Sequence, residues 1–382
     1  MSASPRPEPF QIAVSDAVLD DLKRRLAATR WPEPIGPDDW SAGTPISEVQ
    51  ALAEYWRDGF DWRAHERRLN ELPQFRVTID DYDIHFVHVR GRGPNPLPLL
   101  LTNGWPSSIH EYVKVIGPLT DPAAHGGDEA DAFDVVIPAL PGYPFSRAPN
   151  RVGTWPEVPG LWRHLMTDVL GYPRFVASGG DLGAIVTAAL GALHGDVVAA
   201  IQLEAVFGAT SLEDPTLTPA ERAFLEQRVA WARDEGAYSH QQGTRPRTLS
   251  FGLSDSPAGM LAWIMEKYRA WSDCGGDLYE SFTRDELLVT PTLYWAANSI
   301  GASFRPYADT GEIVSGSTFA YVEVPVGVAV YPGDLPTPER AYAERHFNVQ
   351  RWTQMPRGGH FAPLEVPELW VAETRAFFAG IR

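Results

Sequence analysis

Four stretches of the 382-residue chain are apolar almost without interruption: Leu97–Thr102, Phe133–Leu140, Phe175–Ser178 and Val197–Ala205. A strand with one wet face alternates polar and apolar residues, whereas a strand covered on both faces need not. Runs of this kind, separated by helical or loop segments, predict a mostly parallel sheet with helices on both sides, an α/β fold. Two alternating segments precede them, Phe75–Ile79 and Tyr82–Val89, and the Asp80-Asp81 pair between them predicts a hairpin. Strand texture returns at Val324–Tyr331 and Val349–Met355, and a helix over Pro367–Phe378 closes the chain.

Ahead of the strands the period is helical. Ser15 is a good N-cap, and Val18, Leu19, Leu22 and Leu26 recur at helical spacing until Trp31-Pro32 stops the run. Further helices are predicted from Ser47 through Trp56 and from Trp62 to Leu69. The span from about 208 to 318 reads as helical and irregular, rich in aromatics and without strand runs, so a helical insertion interrupts the sheet.

Composition excludes several functions. With 49 acidic against 32 basic residues the net charge is −17, which disfavours nucleic acid and anionic membrane surfaces as partners. Cys274 is the single cysteine, so neither an intrachain disulfide nor a cysteine-based metal site can form. Lysine is nearly absent: Lys23, Lys114 and Lys267 stand against a majority of arginines, a bias suggesting a GC-rich, bacterial genome. The first residues lack a signal pattern, and the richest apolar stretch, Leu182–Leu203, is broken by Gly183, Gly191, His194, Gly195 and Asp196. The expectation is a soluble, cytoplasmic protein.

Chemistry concentrates where the third buried run meets a helix, at Gly179-Gly180-Asp181-Leu182-Gly183. Glycines two before and two after a polar residue permit the sharp strand-to-helix turn called a nucleophile elbow, here with a carboxylate at its apex. The same pattern also suits an aspartate capping a helix. Downstream, Asp334 follows one late strand in Tyr331-Pro332-Gly333-Asp334, and His360 follows the next in Arg357-Gly358-Gly359-His360-Phe361. Nucleophile, acid, then histidine is the hydrolase chain order, with Glu339 and Glu344 as competitors for the acid. Thr102-Asn103-Gly104-Trp105-Pro106 ends the first buried run, where the backbone N–H of Trp105, with that of Leu182, could form an oxyanion hole.

Together with Pro141-Gly142-Tyr143-Pro144-Phe145-Ser146, these segments resemble an α/β-hydrolase-fold epoxide hydrolase of the microsomal-type branch, which carries an extra N-terminal region. The resemblance spans nearly the whole chain and is most specific at Met355-Pro356-Arg357-Gly358-Gly359-His360-Phe361-Ala362 and Glu365-Val366-Pro367-Glu368-Leu369. It implies an N-terminal arm over residues 1–72, a hydrolase core over 73–207 and 319–382, and a helical lid over 208–318. It makes Asp181 the nucleophile, Asp334 the acid and His360 the base, and assigns Tyr238 and Tyr307 to hold the epoxide oxygen. From the residues alone those two tyrosines are indistinguishable from the other eleven. Its membrane-bound members carry an anchor ahead of the arm, whereas this chain starts at the arm. The implied partners are a small epoxide and water, with no metal or organic cofactor and with room for a homodimer.

Two positions depart from the branch: Asn103 stands where histidine is common, and Leu182 where tryptophan is common. A haloalkane dehalogenase would share the aspartate chemistry but needs a tryptophan at 182 to hold halide. A non-catalytic binding protein on the same scaffold is the other alternative.

Overall fold

The computed structural model describes residues 5–207, 210–310 and 321–382. The chain begins with a three-residue strand, β1 (Glu8–Phe10), which the sequence reading did not anticipate because three residues carry no period. Helix α1 (Asp16–Ala27) is capped by Ser15, buries Leu22 and Leu26, and ends four residues before Trp31. Helices α2 (Ile46–Asp58) and α3 (Trp62–Leu69) complete the arm, α3 capped by the Asp61 side chain.

The hairpin of β2 (Gln74–Ile79) and β3 (Tyr82–Val89) turns through Asp80 at φ +52°. There follow β4 (Leu97–Thr102), α4 (Val113–Thr120), β5 (Phe133–Pro138), α5 (Val158–His164), β6 (Phe175–Gly179), α6 (Asp181–Leu193) and β7 (Val198–Leu203). Helices then dominate: α7 (Pro219–Glu235), α8 (Ala237–Thr244), α9 (Pro246–Asp255), α10 (Pro257–Trp271), α11 (Arg284–Ala297) and α12 (Arg305–Thr310). The expected limits of this insertion, 208 and 318, lie outside the described residues. The sheet resumes with β8 (Val322–Val330), α13 (Arg340–Ala343) and β9 (Phe347–Gln354), and the chain ends with α14 (Ala362–Glu365) and α15 (Pro367–Phe378).

All nine strands form one sheet in the order β1-β2-β3-β5-β4-β6-β7-β8-β9. Pairing is antiparallel from β1 to β5 and parallel from β5 to β9. β4 lies between β5 and β6, with Leu99 opposite Val135 on one side and Val176 on the other. Those three residues are fully buried, as strands covered on both faces require.

The arm is tied to the inserted helices by side chains. Trp56 donates its indole N–H to Thr292 Oγ1 at 2.9 Å, Thr44 donates to the Ala262 carbonyl at 2.8 Å, and Arg25 pairs with Asp255. Its own ends are pinned by Glu66 accepting the Val14 N–H and by Asn70 bridging both backbone groups of Ile12. Arm, sheet and inserted helices share one continuous apolar core.

Candidate active site

Parallel strands bring their C-terminal ends to one edge of the sheet. The turns that follow β4, β6, β8 and β9 carry Trp105, Asp181, Asp334 and His360. At the second of these, Asp181 sits at φ +49°, a left-handed conformation that side-chain-bearing residues adopt only under constraint. The constraint is close packing. A Cβ on Gly179 would lie 2.5 Å from the Gly183 carbonyl oxygen, and a Cβ on Gly183 would lie 1.8 Å from that of Thr102. Helix α6 can therefore sit this near to β4 and β6 only with glycine at both places.

The turn holds the Asp181 carboxylate at the N-terminus of α6, where the helix dipole favours an anion. Its Oδ1 accepts the Trp105 N–H at 2.9 Å, and its Oδ2 lies 3.5 Å from His360 Nε2. Gly104 permits that approach, since a Cβ there would stand 2.1 Å from Oδ1. Leu182 follows in the first turn of α6, where an N–H has no intrahelical acceptor. Asn103 turns its amide onto the Gly104 carbonyl at 3.0 Å.

His360 Nδ1 meets Asp334 Oδ1 at 2.7 Å, and the Leu335 N–H donates to the same oxygen. The acid competitors do not reach it: Glu339 is exposed at the N-terminus of α13, and exposed Glu344 pairs with Arg340. The side chains of His360 and Asp334 are each 4% exposed and that of Asp181 11%, so the three groups interact in a largely dry site. Burial disfavours a charged imidazole, but the two carboxylates outweigh it and hold the His360 pKa well above the ordinary histidine value.

The loop bearing His360 is laced to the end of α10. The His360 N–H donates to the Trp271 carbonyl at 2.7 Å, and the Gly358 N–H to the Asp273 carboxylate at 2.9 Å. Glu365 accepts from the N–H groups of both Phe361 and Asp273. A Cβ on Gly359 would come within 2.6 Å of the Trp271 carbonyl oxygen, which explains that glycine.

The two tyrosines singled out by the resemblance lie together above this cluster. Tyr238 opens α8 and Tyr307 sits in α12, their ring centroids 5.9 Å apart at 75°. Tyr238 stacks on Trp105 at 5.4 Å, and Tyr307 meets the same indole edge-on at 6.2 Å. Both phenols are buried, and burial, followed by neighbouring negative charge that includes Asp181, pushes their pKa values up.

Other contributors carry no sequence signature. Trp271 packs against both His360, at 5.0 Å, and Tyr238, at 5.1 Å. Asp309 accepts from the N–H groups of Gly153, Thr154 and Trp155, anchoring the helix of Tyr307. Gly142 of the Pro141–Ser146 loop packs against Ala302, where a Cβ would lie 2.6 Å from the carbonyl oxygen. Such contacts join residues far apart in sequence, so no local pattern announces them. Among the described residues no cluster of His, Cys, Asp and Glu could hold a metal ion, and no helix is long and apolar enough to cross a membrane.

A family model for the epoxide hydrolase N terminus matches residues 7–112. A provisionally named epoxide hydrolase of Stigmatella aurantiaca is 42% identical over 98% of this chain and 85% of its own length. Epoxide hydrolase 1 of Sus scrofa is 31% identical, covering 97% of this chain and 88% of its own. Among solved structures, the Aspergillus niger epoxide hydrolase superposes with a TM-score of 0.86 at 28% identity, covering 100% of this chain and 98% of that one. The juvenile hormone epoxide hydrolase of the silkworm Bombyx mori gives 0.84 at 27% identity over 98% and 94%. The fold is thus that of the α/β-hydrolase epoxide hydrolases.

Proposed function

The chain belongs to the epoxide hydrolase family, and from that membership and the surroundings of Asp181 we propose that it opens a small epoxide to a vicinal diol in two steps, through an ester on Asp181. Family membership favours this chemistry over halide displacement and over ligand binding without turnover. The observation that carries the two-step route is one carboxylate, held at φ +49°, within reach of both the Trp105 N–H and His360 Nε2.

The route starts from the carboxylate form of Asp181 as nucleophile, with His360 as the imidazolium that its raised pKa favours and Tyr238 and Tyr307 as neutral phenols. A carboxylate oxygen of Asp181 attacks one ring carbon in line as the C–O bond of the epoxide breaks, and the electron pair stays on oxygen. A tyrosine hydroxyl gives that oxygen its proton, leaving a phenolate. Esterification removes the charge of Asp181, and with it two of the influences that kept His360 protonated. The imidazolium then returns a proton to the phenolate through the site, so the base is neutral only once the ester exists. Water next loses a proton to His360 Nε2 and attacks the ester carbonyl, whose developing oxyanion meets the N–H groups of Trp105 and Leu182. Collapse releases the diol and restores the starting charges. Asp334 keeps the imidazole oriented throughout.

An aspartate suits attack at saturated carbon because its ester retains a carbonyl that water can reopen; a serine ether would be a dead end. The test is to trap the ester. His360→Gln lacks the base but keeps the nucleophile, so mixing it with an aryl epoxide should add one substrate mass to the peptide containing Asp181. No adduct, with a folded variant that still binds substrate, would contradict the covalent route.

A further inference from the structure

The two tyrosines of the site differ in one respect that their shared position conceals: among the described residues, a cation lies against the ring of Tyr238 and none against that of Tyr307. Lys267, on α10, places its Nζ 4.7 Å from the centroid of the Tyr238 ring and 5.6 Å from that of Trp271. Its side chain is 2% exposed, an extreme for a lysine, and its ammonium pairs with Glu266, whose side chain is 33% exposed. The chain has only three lysines, and the other two, Lys23 and Lys114, lie on α1 and α4. Tyr307 has ring contacts with Trp105 and Tyr238 alone among the described residues.

We propose that Lys267 is a positioning residue for ring opening: its buried ammonium stabilises the phenolate that forms on Tyr238 and so makes Tyr238, rather than Tyr307, the proton donor to the epoxide oxygen. A cation over a neutral phenol feels only the ring quadrupole. Over a phenolate it feels a full negative charge spread through the same ring, in a dry site where screening is weak. The interaction therefore strengthens as the proton leaves, which is the condition for accelerating a step rather than merely binding a ground state. Besides the indoles of Trp105 and Trp271, the groups facing Tyr238 include Asp181 from the elbow, Tyr307 from α12, Tyr143, and Lys267 with its partner Glu266 from α10. Asp181 opposes phenolate formation while it is ionised, and that opposition fades as its charge enters the ester bond. Lys267 then remains beside the ring as a counter-charge. The Tyr307 hydroxyl, on the neighbouring ring 5.9 Å away, serves as a second anchor for the same oxygen.

The inference rests on the two-step reading above and can fail separately from it. The full-length protein and its Lys267→Met, Lys267→Arg and Tyr238→Phe forms, with the Lys267→Met/Tyr238→Phe double variant, are mixed with styrene oxide in single-turnover stopped flow. Lys267→Met should slow ester formation about tenfold, as expected for a desolvated cation–π contact. Ester hydrolysis and the half-saturating epoxide concentration should each stay within about twofold, because the ammonium acts only while the phenolate exists. Lys267→Arg should recover most of the alkylation rate, and in the Tyr238→Phe background Lys267→Met should change nothing further. Equal alkylation by Lys267→Met and parent, or an undiminished effect of Lys267→Met in the Tyr238→Phe background, would overturn the proposal. Should Lys267→Met fail to fold, Lys267→Gln, which can still bond Glu266, carries the same test. A Tyr238→Phe form that alkylates at the parent rate would instead overturn the assignment of Tyr238 itself.

Discussion

The proton affinity of His360 is decided by a contest between burial, which disfavours the imidazolium, and the carboxylates of Asp334 and Asp181, which favour it. Removing one carboxylate must therefore lower the His360 pKa. In Asp181→Asn the neutral amide mimics the charge state of the ester, so the ring should carry a larger neutral fraction at pH 7.5 than in the parent, read from its 15N shifts. Identical titration in both would mean that esterification does not prepare the base. At this scale the sequence was most readable where chemistry follows chain order. Asp181, Asp334 and His360 stand in hydrolase order with glycines beside them, and the glycines prove necessary where α6 crowds β4 and where the histidine loop crosses Trp271. Chain order alone leaves Asp334 beside Glu339 and Glu344, since all three follow β8, and only the family resemblance prefers Asp334. Tyr238 and Tyr307 were reachable only through a family resemblance, and Lys267, Trp271 and Asp309 not at all.

Elements explain why. Tyr307 is carried by a helix of only six residues, too short to be stable by itself, so its position depends on tethers. Asp309 supplies three of them by accepting from the backbone of residues 153–155, and Arg305 adds another by donating to the Arg151 carbonyl. Asp309→Ala should release α12, slowing ester formation about tenfold while ester hydrolysis, which does not use Tyr307, changes little. Equal losses in both steps would indicate general unfolding, and no loss would show that packing alone fixes the helix. These tethers span some 150 residues of sequence, beyond any periodicity. The sheet, by contrast, was legible almost strand by strand, because burial on both faces leaves an apolar run and the hairpin strands alternate in sequence, although no residue of β3 is exposed. Tyr82–Val89 and Leu97–Thr102 match their expected bounds, whereas β1 has too few residues to show a pattern.

Across the whole molecule, buried acids set how stability varies with pH. Glu204, directly after β7, accepts the Trp370 indole N–H on Oε1 at 2.7 Å and lies under the elbow, its Oε2 3.2 Å from where a Cβ on Gly180 would be. Burial, aided by Glu111, pushes its pKa up to about 8, and burial pushes Glu111 and Glu365 up to about 7. A carboxyl whose folded pKa is raised contributes stability that is fully present below its unfolded value and is lost as pH rises through the folded one. Glu204→Gln keeps the acceptor for Trp370 and removes the titration, so its Tm should fall less than the parent's between pH 5 and pH 8. A parallel decline in both proteins would show that Glu204 does not contribute. The net charge of −17 has no comparable link to the site, where the proposed route moves charge among Asp181, His360 and a tyrosine. That movement is tested most directly by one turnover in oxygen-18 water with enzyme in excess. The ester route predicts an unlabelled first diol and one labelled oxygen in the Asp181 carboxylate, found by mass spectrometry of its peptide. Label in the first diol with none in Asp181 would mean that water attacks the epoxide directly, and the account would be wrong.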